Sequence, residues 1–250
     1  LGARVVDTPA AAAAEADVAI SMLADGPAVA SVWEGEDGLL AGARQGSVLV
    51  DMSTVPPETL RGYEEVARAA GAGILDAPVS GSVALAESGG LTIMAGGEAA
   101  DLERARPVFD QLAKQVFHLG PLGSGAAMKL AVNAVIFGLN NALSEGLVLA
   151  ERAGVDRELA YDVLANSAAG APFVGYKRAA FLEPDATPVA FALELAEKDL
   201  RLIAELADAV GASVPQARTN LELIRAAAAT VGGDRDFSAV ASHLRSQAEP

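Results

Sequence analysis

Short apolar runs alternate with longer stretches of helical spacing over the first 120 residues. Such runs predict buried strands, and Ala-rich stretches with a Pro in the first turn predict helices. The predicted strands are 3–6, 17–23, 46–53, 71–79, 90–97 and 115–120, and the predicted helices are 9–16, 26–33, 56–70 (capped by Ser53 or Thr54) and 98–113. This alternation indicates a mostly parallel sheet, covered by helices on both faces.

The strand signal ends after Gly120, and only helical patterns follow. They cover 124–153, 156–168, 171–182, 188–210, 215–231 and 236–246, with Gly and Pro between them. The pattern therefore predicts an α/β domain over 1–120 followed by an all-α domain over 121–250. The long helix at about 124–153 joins the two domains.

Composition narrows the classes of function. The net charge is −15 and there are no cysteines. A broad nucleic-acid-binding face would need clustered Lys and Arg, so none is expected. Disulfides and thiolate metal sites are excluded, no metal site is predicted, and a reducing cytoplasm fits. The longest oily stretch, 126–139, is interrupted by Lys129 and Asn133, so no membrane span is predicted.

An α/β domain of this kind suggests a nucleotide, which usually lies on a G-x-G-x-x-G turn between a strand and a helix. The nearest match is "GSGAAM" at 123–128. Met128 stands at the third glycine position, and a long helical region follows where a second strand with an acidic end is required. We therefore interpret these glycines as the start of a helix at a domain junction.

Three clusters carry candidate chemistry, and each has a plainer structural interpretation. Ser80–Ser82 form a turn at the end of a strand that could bind an anion through its N–H groups, although most Ser/Gly turns at strand ends only reverse the chain and bind nothing. Lys129 and Asn133 share one helix face, where the lysine could act in acid–base chemistry or simply extend its ammonium to solvent. Lys198 lies beside an apolar stripe, or on a solvated face paired with Glu194.

Taken in order, these stretches resemble the β-hydroxyacid dehydrogenase family, which includes 3-hydroxyisobutyrate dehydrogenases and tartronate semialdehyde reductases. The resemblance covers essentially the whole chain. The residues that carry it are "VLVDMSTVPPET" (48–59), "LDAPVSGSVALAESGGLTIMAGG" (75–97), "GPLGSGAAMKLAVNAV" (120–135), "ALSEGLVLAERAGVD" (142–156), "FALELAEKDL" (191–200) and "DFSAV" (236–240).

The resemblance implies a Rossmann-type domain that binds NAD or NADP, joined by a long helix to a helical domain. It also implies a role for each matching residue. Lys129 corresponds to the catalytic lysine, and substrate contacts correspond to Ser80, Gly81, Ser82 and Asn133. Cofactor contacts correspond to Met22, Leu23, Ala24, Thr54 and Lys198.

This chain departs from the family pattern at three of these positions. Ser82 replaces the second glycine of the carboxylate turn, which bears on the identity of the substrate. Val132 replaces an asparagine and Ala24 a proline. The resemblance also begins partway through the Rossmann domain, so we expect the first βαβ unit, with its glycine-rich loop, to be absent from this sequence.

The function implied is NAD(P)-dependent interconversion of a small 3-hydroxy acid and its semialdehyde or keto acid. An imine reductase-like enzyme is one alternative, since the resemblance extends to that fold. A non-catalytic cofactor-binding protein or an inactive fragment is another. Ala- and Leu-rich helices such as 135–152 predict a homo-oligomer formed through the helical domain.

Overall fold

The computed structural model describes residues 2–247, and its first part is a six-stranded sheet with helices. The strands are β1 (Val18–Ser21), β2 (Val48–Asp51), β3 (Gly73–Asp76), β4 (Val79–Ser80), β5 (Leu91–Gly97) and β6 (Ala113–His118). The helices of this part are α1 (Pro9–Glu15), α2 (Gly26–Trp33), α3 (Pro57–Arg61), α4 (Glu64–Ala69), α5 (Val83–Glu87) and α6 (Ala99–Leu112).

Parallel pairing dominates the sheet, as the sequence predicts. Strand β1 pairs with β2, β2 with β3, and β5 with β6, all in parallel. Strand β5 runs antiparallel to both β3 and β4. The carboxyl ends of β1, β2 and β3 therefore meet at one edge, which is where ligands bind in open α/β sheets.

Alternating side chains of the central strands enter two separate cores. Val48, Val50 and Leu75 pack on the face covered by α6, where Phe109 is fully buried. Leu49 and Ile74 pack on the opposite face, against Trp33 and neighbouring helices. Both faces are covered, which explains why these strands are continuously apolar and do not alternate with polar residues.

Three local predictions in this part are wrong. No strand forms at 3–6, where residues 3–5 are exposed and Val5 is 91% accessible to solvent. The helix predicted over 56–70 is two helices, α3 and α4, with a break at Gly62 and Tyr63. The N-cap of α3 is Pro56 with no side-chain cap bond. Ser53, one of the two predicted caps, instead bonds Asp51 and Leu23.

The rest of the described chain, up to residue 247, is helical. It contains α7 (Ser124–Arg152), α8 (Arg157–Asn166), α9 (Pro172–Leu182), α10 (Leu193–Val210), α11 (Pro215–Val231), a 3₁₀ turn (Phe237–Ala239) and α12 (Val240–Gln247). The fold is thus α/β followed by all-α, which confirms the predicted fold class. Helix α10 starts five residues later than the 188 predicted, because the Ala190 and Phe191 N–H groups donate to Asp236.

Two compact units divide the chain between Leu130 and Ala131, within helix α7. The predicted domain boundary at residue 120 stays a prediction. In the second unit, three phenylalanines surround the ring of Phe237 at centroid distances of 5.6–5.9 Å. They are Phe137, Phe173 and Phe191.

A buried ion pair lies beside this aromatic cluster. Lys177 Nζ is 2.8 and 2.7 Å from the two carboxylate oxygens of Asp236, and 4.5 Å from the centroid of the Phe237 ring. The two side chains are nearly inaccessible to solvent. Burial would by itself raise the pKa of Asp236, but the Lys177 ammonium and the hydrogen bonds of Ser238 hold it below its ordinary value.

Among the described residues, α7 is the helix long and apolar enough, by length and composition, to span a membrane. The core helix of a water-soluble protein meets the same criterion. Helix α7 carries four buried polar side chains, which suit packing inside a protein: Asn133, Asn140, Asn141 and Ser144.

Candidate active site

The carboxyl ends of β1 and β2 are joined by hydrogen bonds around Asp51. This carboxylate is 1% exposed and accepts bonds from Ser21 Oγ (2.6 Å), Ser53 Oγ (2.7 Å) and the Ser53 N–H (3.2 Å). Ser53 Oγ in turn accepts from the Leu23 N–H at 2.8 Å. Burial raises the pKa of Asp51, and its serine hydrogen bonds oppose that rise. The network holds the loops after β1 and β2 in fixed register.

These two loops carry the predicted cofactor-binding residues of the first unit. Leu23 packs against the apolar core, whereas its neighbours Met22 and Ala24 are exposed. Met22 leaves 65% of its surface accessible at the carboxyl end of β1, and Thr54 is half-buried after β2. The structure thus brings the predicted cofactor residues of the two loops to the same edge of the sheet.

An exposed methionine at this edge can cover the apolar face of a flat ring, so the residues present fit the nicotinamide part of a dinucleotide. The strand–helix turns after β1 and β2 are "MLAD" and "MSTVP", and neither has the glycine spacing that cradles a pyrophosphate. Over residues 2–247, no cluster of three or more His, Asp or Glu side chains could hold a metal ion.

The predicted carboxylate turn follows β4 directly. Ser80 is the last residue of this strand and pairs with Thr92. Gly81 has φ +147°, and a Cβ there would come within 2.7 Å of Leu91 Cδ2, so glycine is required. Ser82 has φ −86° and caps α5 without a side-chain cap bond. The serine that replaces a family glycine is therefore compatible with the backbone of the turn.

Lys129 lies in the second turn of α7, five residues after the helix begins at Ser124. Lys129 is half-buried, so it is not a fully solvated lysine that only extends its ammonium into water. It belongs to the same compact unit as the Ser80–Ser82 turn. Asn133 follows it by one helical turn and lies on the same face of the helix.

In the second unit, a buried acidic residue that sequence reasoning missed joins two predicted site residues. Asn133 Nδ2 donates to Asp199 Oδ2 at 2.7 Å, and Lys198 Nζ lies 3.0 Å from Asp199 Oδ1. Asp199 is 1% exposed and Asn133 is 7% exposed. The signal in the sequence is the position of Asp199 next to Lys198 beside the apolar stripe, but the sequence predicts no role for the aspartate. Lys198 is itself mostly buried, unlike a residue on a solvated helix face.

A parallel-dominated sheet whose loops meet at its carboxyl edge, followed by an all-helical region, is an architecture that NAD(P)-binding oxidoreductases use. Comparison with known families agrees with this class. Residues 1–120 match the model described as the NAD binding domain of 6-phosphogluconate dehydrogenase. Residues 123–244 match the model described as the NAD-binding region of NADP-dependent 3-hydroxyisobutyrate dehydrogenase.

Individual relatives give the same result. Glyoxylate/succinic semialdehyde reductase 1 of Arabidopsis thaliana is 38% identical over 96% of this chain and 82% of its own length. The 3-hydroxyisobutyrate dehydrogenase of Pseudomonas aeruginosa is 36% identical over 96% of this chain and 83% of its own. A crystal structure of a 3-hydroxyisobutyrate dehydrogenase from Salmonella typhimurium has a TM-score of 0.86 and 28% identity, covering 94% of this chain and 82% of that one.

The chain therefore belongs to the β-hydroxyacid dehydrogenase family, whose members are NAD(P)-dependent oxidoreductases. This confirms the predicted family, enzyme class and cofactor, NAD or NADP. An imine reductase from Myxococcus stipitatus shares only the fold, at 20% identity and a TM-score of 0.58. One human relative at 34% identity is named a cytokine-like nuclear factor, N-PAC, and the chain covers 43% of it.

Proposed function

We propose that the protein interconverts a small 3-hydroxy acid and its semialdehyde or keto acid, with NAD or NADP. The observation that carries the proposal is a half-buried Lys129 in the same compact unit as the Ser80–Ser82 turn, which contains Gly81 at a positive φ. A lysine amine acts as a general acid or base when it lies within hydrogen-bond reach of the reacting hydroxyl or carbonyl.

The chemistry divides between cofactor and protein. The nicotinamide ring, when bound, accepts the hydride from the carbinol carbon in oxidation and returns it in reduction. In oxidation, neutral Lys129 takes the proton of the substrate hydroxyl as the C–H bond breaks and the C=O bond forms. In reduction, its ammonium polarises the carbonyl and returns the same proton. Lys129 Nζ therefore accepts the proton in one direction and donates it in the other.

The other predicted site residues orient the substrate and cofactor. The N–H groups and hydroxyls of the Ser80–Ser82 turn bind the substrate carboxylate, because successive N–H groups in a turn form an anion site. Asn133 orients the substrate through its amide, which the bond to Asp199 holds in one rotamer. Lys198, paired with the same carboxylate, binds the cofactor, as do Met22, Leu23, Ala24 and Thr54.

The test is a Lys129→Ala variant assayed with a panel of 3-hydroxy acids and semialdehydes and with each cofactor. We expect turnover to fall about 10²- to 10⁴-fold, the loss typical of a missing general acid–base group, with cofactor affinity retained. Lys114→Ala is the matched control, because that lysine is exposed on β6.

Near-normal turnover of Lys129→Ala would disprove the role of the lysine. Reduction of a cyclic imine with no turnover of any hydroxy acid would favour the imine reductase alternative. Cofactor binding without turnover of any substrate would favour a non-catalytic protein.

We also propose that the protein forms a homo-oligomer through its helical unit and works in the cytoplasm. Large apolar side chains of α7 and α8 remain 59–72% exposed in the single chain: Val135, Leu149, Leu159 and Val163. Burial of such side chains in a second copy would remove apolar surface from water.

A further inference from the structure

The buried carboxylate of Asp76 connects the end of strand β3 to the start of helix α7. Its Oδ1 accepts the Gly123 N–H at 2.7 Å, and its Oδ2 accepts the Ala126 N–H at 2.6 Å. The side chain is 2% exposed. The first N–H groups of a helix have no partner within the helix, and Asp76 satisfies one inside the first turn of α7 and one just before it.

Two glycines allow this close approach. A Cβ on Gly125 would lie 2.2 Å from the Met94 carbonyl oxygen and 2.7 Å from that of Asp76. A Cβ on Gly96 would lie 2.4 Å from Asp76 Oδ1 and 2.9 Å from the Gly125 nitrogen. Any side chain at either position would push the helix off the strand ends. Gly125 of "GSGAAM" and Gly96 of β5 therefore allow the backbone of α7 to lie against the sheet.

The same stretch of chain leads from Asp76 to the carboxylate turn. Asp76 pairs with Gly96 and Ser80 pairs with Thr92, both on β5, and the Met94 N–H donates to the Pro78 carbonyl at 2.9 Å. Residues 76–80 are thus fixed to β5 at both ends and in the middle. Asp76 holds α7 at one end of this segment, and the Ser80–Ser82 turn begins at the other.

We infer that Asp76 is a positioning residue that keeps Lys129 at a fixed place relative to the Ser80–Ser82 turn. Lys129 follows Ala126 by three residues, about 4.5 Å along the helix axis, so a shift of the first turn is passed to it directly. The inference rests on the proposed function, since it assumes that Lys129 transfers the proton and that the turn binds the carboxylate.

Two graded variants test the inference. Asp76→Asn keeps one acceptor oxygen, but its amide nitrogen cannot accept the second N–H bond, and Asp76→Ala removes both acceptors. We expect kcat to fall about 10-fold in the first and about 100-fold in the second, because a displacement near 1 Å costs about that much. Cofactor affinity, measured by fluorescence titration, should stay within about twofold, because the cofactor loops are held by Asp51.

Two controls accompany these variants. Asp156→Asn makes the same substitution at another helix cap, at α8, where Asp156 Oδ1 accepts the Leu159 N–H at 3.0 Å, and should leave kcat unchanged. Circular dichroism of each variant reports whether the fold is kept, and Asp76→Asn, the nearly isosteric change, is the variant on which the conclusion depends.

The double variant Asp76→Asn/Lys129→Ala separates positioning from general loosening. If Asp76 acts through Lys129, the double variant is no slower than Lys129→Ala alone, because the lysine to be positioned is gone. Wild-type kcat in Asp76→Asn, or losses that multiply in the double variant, would overturn the inference. Near-normal turnover of a 3-hydroxy acid by Lys129→Ala would instead overturn the role proposed for Lys129, and no turnover of any 3-hydroxy acid by the wild type would overturn the proposed function, whatever the Asp76 variants show.

Discussion

Replacement of Lys177 by methionine tests how strongly the buried ion pair supports the helical unit. Lys177 and Asp236 are 4% and 8% exposed, so the change leaves a carboxylate buried without its counter-charge. Breaking such a pair costs about 3–5 kcal/mol. Asp236 keeps N–H bonds from Ala190, Phe191 and Ser238 at 3.1–3.2 Å, so we expect a free energy of unfolding lowered by about 3 kcal/mol, at the low end of that range.

Thermal unfolding followed by circular dichroism measures this loss. At about 2–4 °C per kcal/mol for a chain of this size, Lys177→Met should lower Tm by about 6–12 °C. Lys114→Met, on an exposed site, should change stability by no more than about 0.5 kcal/mol. The double variant Lys177→Met/Asp236→Asn should be more stable than Lys177→Met, because the uncompensated charge is removed. Strict additivity of the two single effects would refute the reasoning.

The pH dependence gives a second check on the same pair. The pKa of Asp236 is below its ordinary value in the folded protein, so its stabilising contribution is complete above the unfolded value of 3.8. That contribution is lost as the pH falls through the folded pKa. The stability difference between wild type and Lys177→Met should therefore narrow below about pH 4. A constant difference down to pH 2.5 would contradict the assignment.

Two further predictions follow. Asp51→Asn should weaken NAD(P)H binding about tenfold, measured by fluorescence titration. The loss of one acceptor oxygen disturbs the Ser21 and Ser53 hydrogen bonds that hold the loops after β1 and β2. Unchanged affinity would show that these loops keep their shape without the Asp51 carboxylate. Light scattering should find an oligomer, and a Val135→Glu/Leu149→Glu variant should shift it toward monomer, since both side chains are at least 70% exposed in the single chain; a wild-type monomer would refute the proposed oligomer.

Most elements could be predicted from the sequence where the hydrophobic pattern was strong. The strand at 46–53 and the helix at about 124–153 have clear apolar patterns, and the structure forms β2 and α7 there. The run at 3–6 is equally apolar in composition but forms no strand, since strands are stabilised by neighbours that local sequence does not reveal.

Some residues of the candidate site could be predicted from the sequence and others could not. The order of the motifs along the chain predicts Lys129, Asn133, Lys198 and the Ser80–Ser82 turn as candidate site residues. Their side chains and N–H groups are of types that transfer protons or bind carboxylates. The acidic residues Asp51, Asp76 and Asp199 were missed. Each lies within a quoted motif, but nothing local distinguishes a buried aspartate with distant partners from an exposed one.

The glycines of "GSGAAM" show the limit most clearly. The sequence excluded a dinucleotide loop and assigned them to the start of a helix. Why glycine is needed at position 125 depends on Met94 and Asp76, which lie 31 and 49 positions earlier in the chain.

The sequence by itself determined the alternation of strands and helices, the family and the candidate residues, because these depend on local periodicity and on residue type. The tertiary structure alone decided which buried carboxylates bond to distant parts of the chain. Asp76 meets Ala126 across 50 positions of sequence, and Asn133 meets Asp199 across 66. Hydrogen bonds at 2.6–2.7 Å between such distant residues exist only after the chain has packed.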